Sequence, residues 1–354
     1  MNNPSVQISE QSTTKRIEYI DALRGFTMIL VVIYHLSILG WELPSSVPQI
    51  HVFLQQVRMP LFFFISGFVL YKAGVIWNLQ HIRSFLHKKF LVQIIPTIVF
   101  LVLFCKFASR DLVDTFLDRY KAGYWFTYTL FEYFLFYSIL RFCFRNHFED
   151  IAIIAAVFFF YLINWSPIYN NIPISEEYKD FLGVCQWRYF CFFLIGTLVK
   201  KHFDAVQRWL DGKYLLTFSI LFYFLVNFYD DMIPANEVVR TPIGFLRTLT
   251  GMTILFAFFR TNQACFTKEH VMGRALQYTG RRTLDIYLLH HFLIPRGLGA
   301  AFPIFTEHPM PVIEFVCTFC IAVVIVALCL LVSNIIRLSP ILAHYLFGVK
   351  VFPK

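Results

Sequence analysis

The stretch that decides the fold is Arg24-Gly-Phe-Thr-Met-Ile-Leu-Val-Val-Ile-Tyr-His35-Leu-Ser-Ile-Leu-Gly-Trp-Glu42. Between its charged ends it is apolar apart from one imidazole and a few small polar groups. It is close to the roughly 20 residues a helix needs to cross a bilayer. Working outward, nine further apolar runs follow. The ten together are about 24–42, 59–77, 90–107, 125–143, 149–165, 186–200, 214–231, 243–260, 283–301 and 312–334. The segments between them carry Pro, Asn, Asp and Lys clusters, and none is long enough for a soluble domain. The expected architecture is therefore all-α: a single polytopic bundle of about ten transmembrane helices over residues 16–336. Residues 1–15 are polar and read as a disordered cytoplasmic tail rather than a signal peptide. Residues 337–354 read as a cytoplasmic C-terminal tail.

Composition agrees. Of the 354 residues, 58% are hydrophobic and 15% charged, with 43 Phe and a mean hydropathy of +0.60. A soluble domain has about 45–50% apolar and about 25% charged residues. A core of this size cannot hide the excess. The same numbers exclude a disordered or collagenous chain. The net charge of +9 does not point to nucleic acid, because no basic tract interleaves with solvent-facing aromatics. It fits Lys and Arg held in cytoplasmic loops. With both termini inside, the inner segments hold the larger share of Lys and Arg, including Lys72, Lys200 and Lys201. Asp111, Asp114, Asp118, Glu176, Glu177, Asp230 and Asp231 then fall outside. The eight Cys form no framework. Cys317 and Cys320 lie inside an apolar run and read as packing residues.

Ionisable groups within such segments are costly and ask for a reason. Arg24 and His35 are separated by roughly 16 Å along a helix axis. Arg24 suits either a snorkelling anchor or a ligand for phosphate. Neutral imidazole is the side chain best suited to take a proton near pH 7. Ser66, seven residues past Met59, and Glu132, seven past Trp125, fall at about the depth of His35. A His, an acid and a hydroxyl at one depth have the composition of a proton-transfer site. Glu132 is expected to orient His35, with packing against another span as the alternative. Arg24, Arg83, Lys88, Lys89, Arg281 and Arg282 gather at the inner mouth, where a phosphorylated donor such as a coenzyme A thioester would arrive. Arg58, Arg188 and Arg247 each open a span on the outer side and suit a polar or anionic acceptor. Asp285-Ile-Tyr287-Leu-Leu-His290-His291 adds a second intramembrane imidazole. No spacing of metal-ligand type is seen.

These residues resemble the acyltransferase family 3 integral-membrane acyltransferases. The family's Arg, ten residues, His signature stands as Arg24 to His35, preceded by Ile20-Asp21-Ala22-Leu23 and followed at once by Gly25. A second signature, Met-Pro-Leu-Phe-Phe-x-x-Ser-Gly, stands as Met59 to Gly67. A basic segment before the third helix stands as Arg83, Lys88 and Lys89, with Lys in place of the more usual paired Arg. A late Ile-Tyr-x-x-His stands as Ile286 to His290. The resemblance runs from about residue 16 to 335.

It implies O-acyl transfer, most often acetyl from acetyl-CoA, to a hydroxyl of a carbohydrate or cell-surface glycan at a bacterial inner or plasma membrane. His35 is then the general base or acyl carrier, and Arg24 binds the donor. Arg58, Ser66, Arg188, Arg247, Tyr287 and His290 face the acceptor, and acetyl-CoA is a substrate rather than a resident cofactor. A homodimer is open. The competing class is a multi-pass transporter or flippase for a glycan or polar solute. The absence of a visible internal repeat speaks against it.

Overall fold

The computed structural model describes residues 16–42, 49–144, 148–163, 166–234, 236–301 and 311–349. The expected N-terminal tail, residues 1–15, and the end of the C-terminal tail lie outside them. All regular structure among the described residues is helical. Each of the ten apolar runs contains a helix. Five helices are long and apolar enough to cross a membrane singly: Glu18–Gly40, Phe53–Leu70, Leu79–Phe107, Glu237–Thr261 and Val312–Ile336. Two bent pairs raise the count to seven, Glu176–Leu182 with Val184–Lys201 and Phe203–Leu210 with Tyr214–Phe228. The remaining apolar runs give shorter or more polar helices, such as Phe148–Leu162 and Thr283–Leu293.

The surface fits a membrane protein. Phe218, Leu221, Phe224 and Phe228 on one helix stand exposed, as do Val312, Val316, Val324 and Leu331 on another. Water would not tolerate such continuous apolar faces, but lipid tails do.

Glycines set the two closest crossings. The Glu18–His35 helix lies against the Val271–Arg281 helix at Gly25 and Gly280. A Cβ on Gly280 would sit 1.8 Å from the Asp21 carbonyl oxygen, and one on Gly25 2.0 Å from that of Leu276. The Gln49–Leu70 helix meets Phe190–Lys201 in the same way. A Cβ on Gly67 would come within 2.0 Å of the Phe193 oxygen, and one on Gly196 within 2.1 Å of that of Phe64. Small residues let helix backbones approach where no hydrophobic drive separates helix from lipid. Gly280→Val should therefore force these helices apart. Overpacking costs about 1–3 kcal/mol, and more against rigid backbone. The expected result is a lower Tm and less monodisperse protein in size-exclusion chromatography. A wild-type profile would mean that the crossing yields freely.

Two helices loosen into π turns. Leu36–Gly40 follows His35 directly, and Phe90–Ile94 follows Lys89. Such wide turns recur at functional sites. Here each follows directly on a residue that faces the central cavity.

Candidate active site

A cavity of about 730 Å³ opens between the helices that carry the sequence motifs. Helical phase decides which side chains reach it. On Glu18–His35 the lining residues are Arg24, Met28, Val31 and His35, spaced four, three and four apart. Eleven residues at about 100° each return to nearly the same azimuth. The Arg24-to-His35 interval therefore places both groups on one wall, three turns apart. On the Leu79–Lys89 helix and its extension, His81, Ser84, Phe85, Lys88, Lys89 and Val92 form another such stripe. Arg83 falls on the opposite side and is exposed.

At the deep end stands an imidazole chain. His35 Nδ1 lies 2.9 Å from His290 Nε2, and His290 Nδ1 lies 3.0 Å from the Ile286 carbonyl oxygen. A carbonyl only accepts, so His290 must carry its proton on Nδ1. Its Nε2 is then the acceptor, and His35 must donate from Nδ1. By elimination the neutral His35 keeps a lone pair on Nε2. Among the described residues that nitrogen has no hydrogen-bond partner, and His35 is half-buried and lines the cavity. His291 packs its ring 4.9 Å from that of His35 and completes the cluster. Its Nε2 is buried without a partner, and a Cβ on Gly123 would come within 2.3 Å of it.

The loop carrying Gly123 is pinned to the same helix. The Tyr287 hydroxyl donates to the Gly123 carbonyl at 2.7 Å and accepts from the Phe126 N–H at 3.1 Å. Tyr124 donates to the Leu288 carbonyl at 3.0 Å.

One imidazole nitrogen from each of the three histidines lies within 4.8 Å of the others. That proximity admits a metal, but the hydrogen-bonded pair does not match ligand geometry. Two nitrogens on one tetrahedral zinc stand about 3.3 Å apart. The 2.9 Å separation is that of a direct hydrogen bond, and the His290 Nδ1 bond to Ile286 serves either arrangement, since a metal-bound imidazole also donates its other N–H to a carbonyl.

The expected residues divide accordingly. Arg24, Lys88, Lys89, Arg58, Ser66 and Tyr287 share the cavity with His35. Arg24 donates to Thr283 Oγ1 at 3.3 Å. The Arg58 guanidinium lies 3.3 Å over the Tyr34 ring, and the Ser66 hydroxyl bonds back to the Phe62 carbonyl at 2.8 Å. His290 reaches the site through His35 rather than by lining the cavity.

Glu132 stands where its packing alternative puts it. Its carboxylate accepts from Trp187 Nε1 at 3.1 Å, and it does not line the cavity. Phe126, Leu130, Phe134 and Tyr137 face the cavity along the Trp125–Cys143 helix and Trp125 closes it at the helix start, whereas the Glu132 carboxylate is engaged by Trp187. Glu132→Gln should accordingly change the transfer rate less than about threefold, since an amide oxygen also accepts from indole N–H. A loss above tenfold in a steady-state assay would return Glu132 to the reaction.

Arg83, Arg281 and Arg282 are likewise absent from the cavity wall. Arg282 instead binds Asp285 at 3.3 Å and Ser333 at 3.1 Å. Arg188 and Arg247 line a separate pocket. Sequence reasoning did not find Lys72, Trp77, His81, Gln93 or Trp125, all on the wall. The stripe of His81, Lys88 and Lys89 was the signal available for one of them.

The Acyltransferase domain sequence model of acyltransferase family 3 matches residues 17–331. The chain belongs to acyltransferase family 3. The match spans every helix that contributes to the cavity, so the acyltransferase domain and the bundle are the same unit. No curated protein and no solved structure matches the chain.

Proposed function

We propose that this acyltransferase is an O-acyltransferase moving an acyl group, most often acetyl from acetyl-CoA, to a carbohydrate or cell-surface glycan hydroxyl. The observation that carries the reading is the free His35 Nε2 at a large cavity, with its tautomer held by His290 and Ile286. An alcohol is a poor nucleophile at neutral pH, and a positioned base contributes typically 10²–10⁴-fold. His35 Nε2 takes the acceptor hydroxyl proton as the oxygen attacks the thioester carbonyl. The tetrahedral intermediate collapses with cleavage of the C–S bond. The departing thiolate takes the proton back from the imidazolium. The products are an ester and a free thiol, and His35 is restored. The imidazolium charge is shared along Nδ1–H to His290 and on to the Ile286 carbonyl, which needs no carboxylate partner.

Arg24, Lys72, Lys88 and Lys89 suit the donor's phosphates. The apolar middle of the wall, with Met28, Val31, Phe62 and Leu70, suits a pantetheine arm. This reading keeps ten membrane crossings and cytoplasmic termini, so the donor enters from the inner side. The test is transfer or hydrolysis of labelled acetyl-CoA by the purified protein, which a flippase would not show. Arg24→Ala should raise the donor KM about 10–100-fold, since a hydrogen bond to a charged group is worth about 1.5–3 kcal/mol. Arg58→Ala should raise it less. Equal effects would place the donor at the wrong mouth.

A further inference from the structure

A second cavity of about 340 Å³ lies beside the first, within the roughly 300–1,000 Å³ range of small-molecule sites. Its wall carries Arg188, Arg240 and Arg247 together with Gln55, Gln56 and Tyr189. The charges do not cancel. Arg247 bonds Asp230, and Arg240 stands 4.0 Å from that same carboxylate. Arg188 has no carboxylate partner among the described residues and bonds the Tyr189 hydroxyl at 3.1 Å. Among the described residues, the lining thus carries three guanidiniums and no acidic side chain, with Asp230 behind Arg240 and Arg247. Arg247 Nε is buried with no hydrogen-bond partner, and an unmet buried donor is costly unless a ligand completes it. Arg240 is held in place by the Ile233 and Pro234 carbonyls, at 3.1 and 3.2 Å. The fork is thus positioned by backbone and left with charge to spare.

The cavity is a neighbour of the catalytic one. A single stretch of helix presents Gln55, Gln56 and Pro60 to it, and Arg58 and Met59 to the other. Tyr189 lines it and stacks on Trp125, which lines the main cavity. The lysines suited to donor phosphates are all on the main cavity. Guanidinium forks match carboxylate and phosphate oxygens in pairs, and the amides and hydroxyls beside them match sugar hydroxyls.

We propose that this second cavity binds an anionic sugar unit of the acceptor, one bearing a carboxylate or a phosphate. The inference rests on the acyl-transfer reading for the word acceptor, but not for the binding itself.

The test uses the whole protein in phosphatidylcholine nanodiscs and isothermal titration with glucuronate, glucose 1-phosphate and glucose. Both acidic sugars are expected to bind at least tenfold more tightly than glucose. Arg188→Gln should weaken them at least tenfold. Gly244→Leu should abolish binding by filling the space, because a Cβ there meets only the Tyr161 hydroxyl, at 3.9 Å. His35→Ala should leave binding unchanged. Equal binding of glucose and glucuronate would overturn the proposal, as would insensitivity to both pocket variants. Tighter binding of glycerol 1-phosphate than of either sugar, with loss of sugar binding in phosphatidylglycerol nanodiscs, would also overturn it and make the pocket a lipid-headgroup site. Labelled acetyl-CoA transfer is read in parallel. Acid binding without transfer would sink the acyltransferase reading alone, and transfer without acid binding would sink this one alone.

Discussion

His35→Ala is expected to lower acyl transfer by about 10²–10⁴-fold, the usual contribution of a positioned base, while the protein remains folded and inserted. The structural cost should be small. His35 is half-buried at a cavity wall, so truncation enlarges an existing space rather than opening a new void. The hydrogen bond lost is one of two that His290 makes, and its Nδ1 keeps the Ile286 carbonyl. Donor affinity should be largely retained, because Arg24, Lys72, Lys88 and Lys89 are untouched. The measurement is turnover of labelled acetyl-CoA alongside a direct donor-binding titration. Added imidazole should restore part of the rate, since the vacated space opens on the cavity. Turnover within a few-fold of wild type would reduce His35 to a packing residue.

The membrane character and the two leading residues were legible in the sequence for a simple reason. Burial in lipid makes a lone Arg and a lone His conspicuous, and an eleven-residue interval puts both on one face of any helix. Residues on different helices were harder. Depth is one coordinate and can be counted along a chain, so Ser66 and His35 do share a cavity. Azimuth is a second coordinate, fixed only by what each helix packs against. Arg83 falls on the far face of its helix from Lys88, and Glu132 is engaged by Trp187 outside the cavity wall. Arg282 is absent from the wall for a third reason. It is adjacent in sequence to the site helix but is claimed by Asp285, three residues on, and by Ser333 from a distant helix. Helix length was the weakest inference. An apolar run specifies burial, whereas Thr283–Leu293 stops after 11 residues and the Phe203–Leu210 and Tyr214–Phe228 pair bends by 70°.

The second large effect belongs to His290. It does not touch substrate and acts through His35, so it is a positioning residue. His290→Leu removes the acceptor of the His35 Nδ1 proton. The His35 ring is then free to carry its proton on Nε2, where it cannot act as a base, and an imidazolium formed in the reaction loses its hydrogen-bond outlet. Both effects fall on kcat. A loss of about 10²-fold, or ~2.7 kcal/mol, is expected, with the donor KM unchanged. His290→Gln separates this role from packing. Its side-chain carbonyl can accept from His35 Nδ1, so it should recover at least tenfold of what leucine loses. Selective ¹⁵N labelling of histidine gives a readout that packing would not move. In wild-type protein the His35 Nε2 resonance should show the shift of an unprotonated nitrogen, and in His290→Leu the two tautomers should mix. If leucine and glutamine lower kcat equally while the His35 nitrogen shifts stay at their wild-type values, the tautomer chain has no part in the reaction.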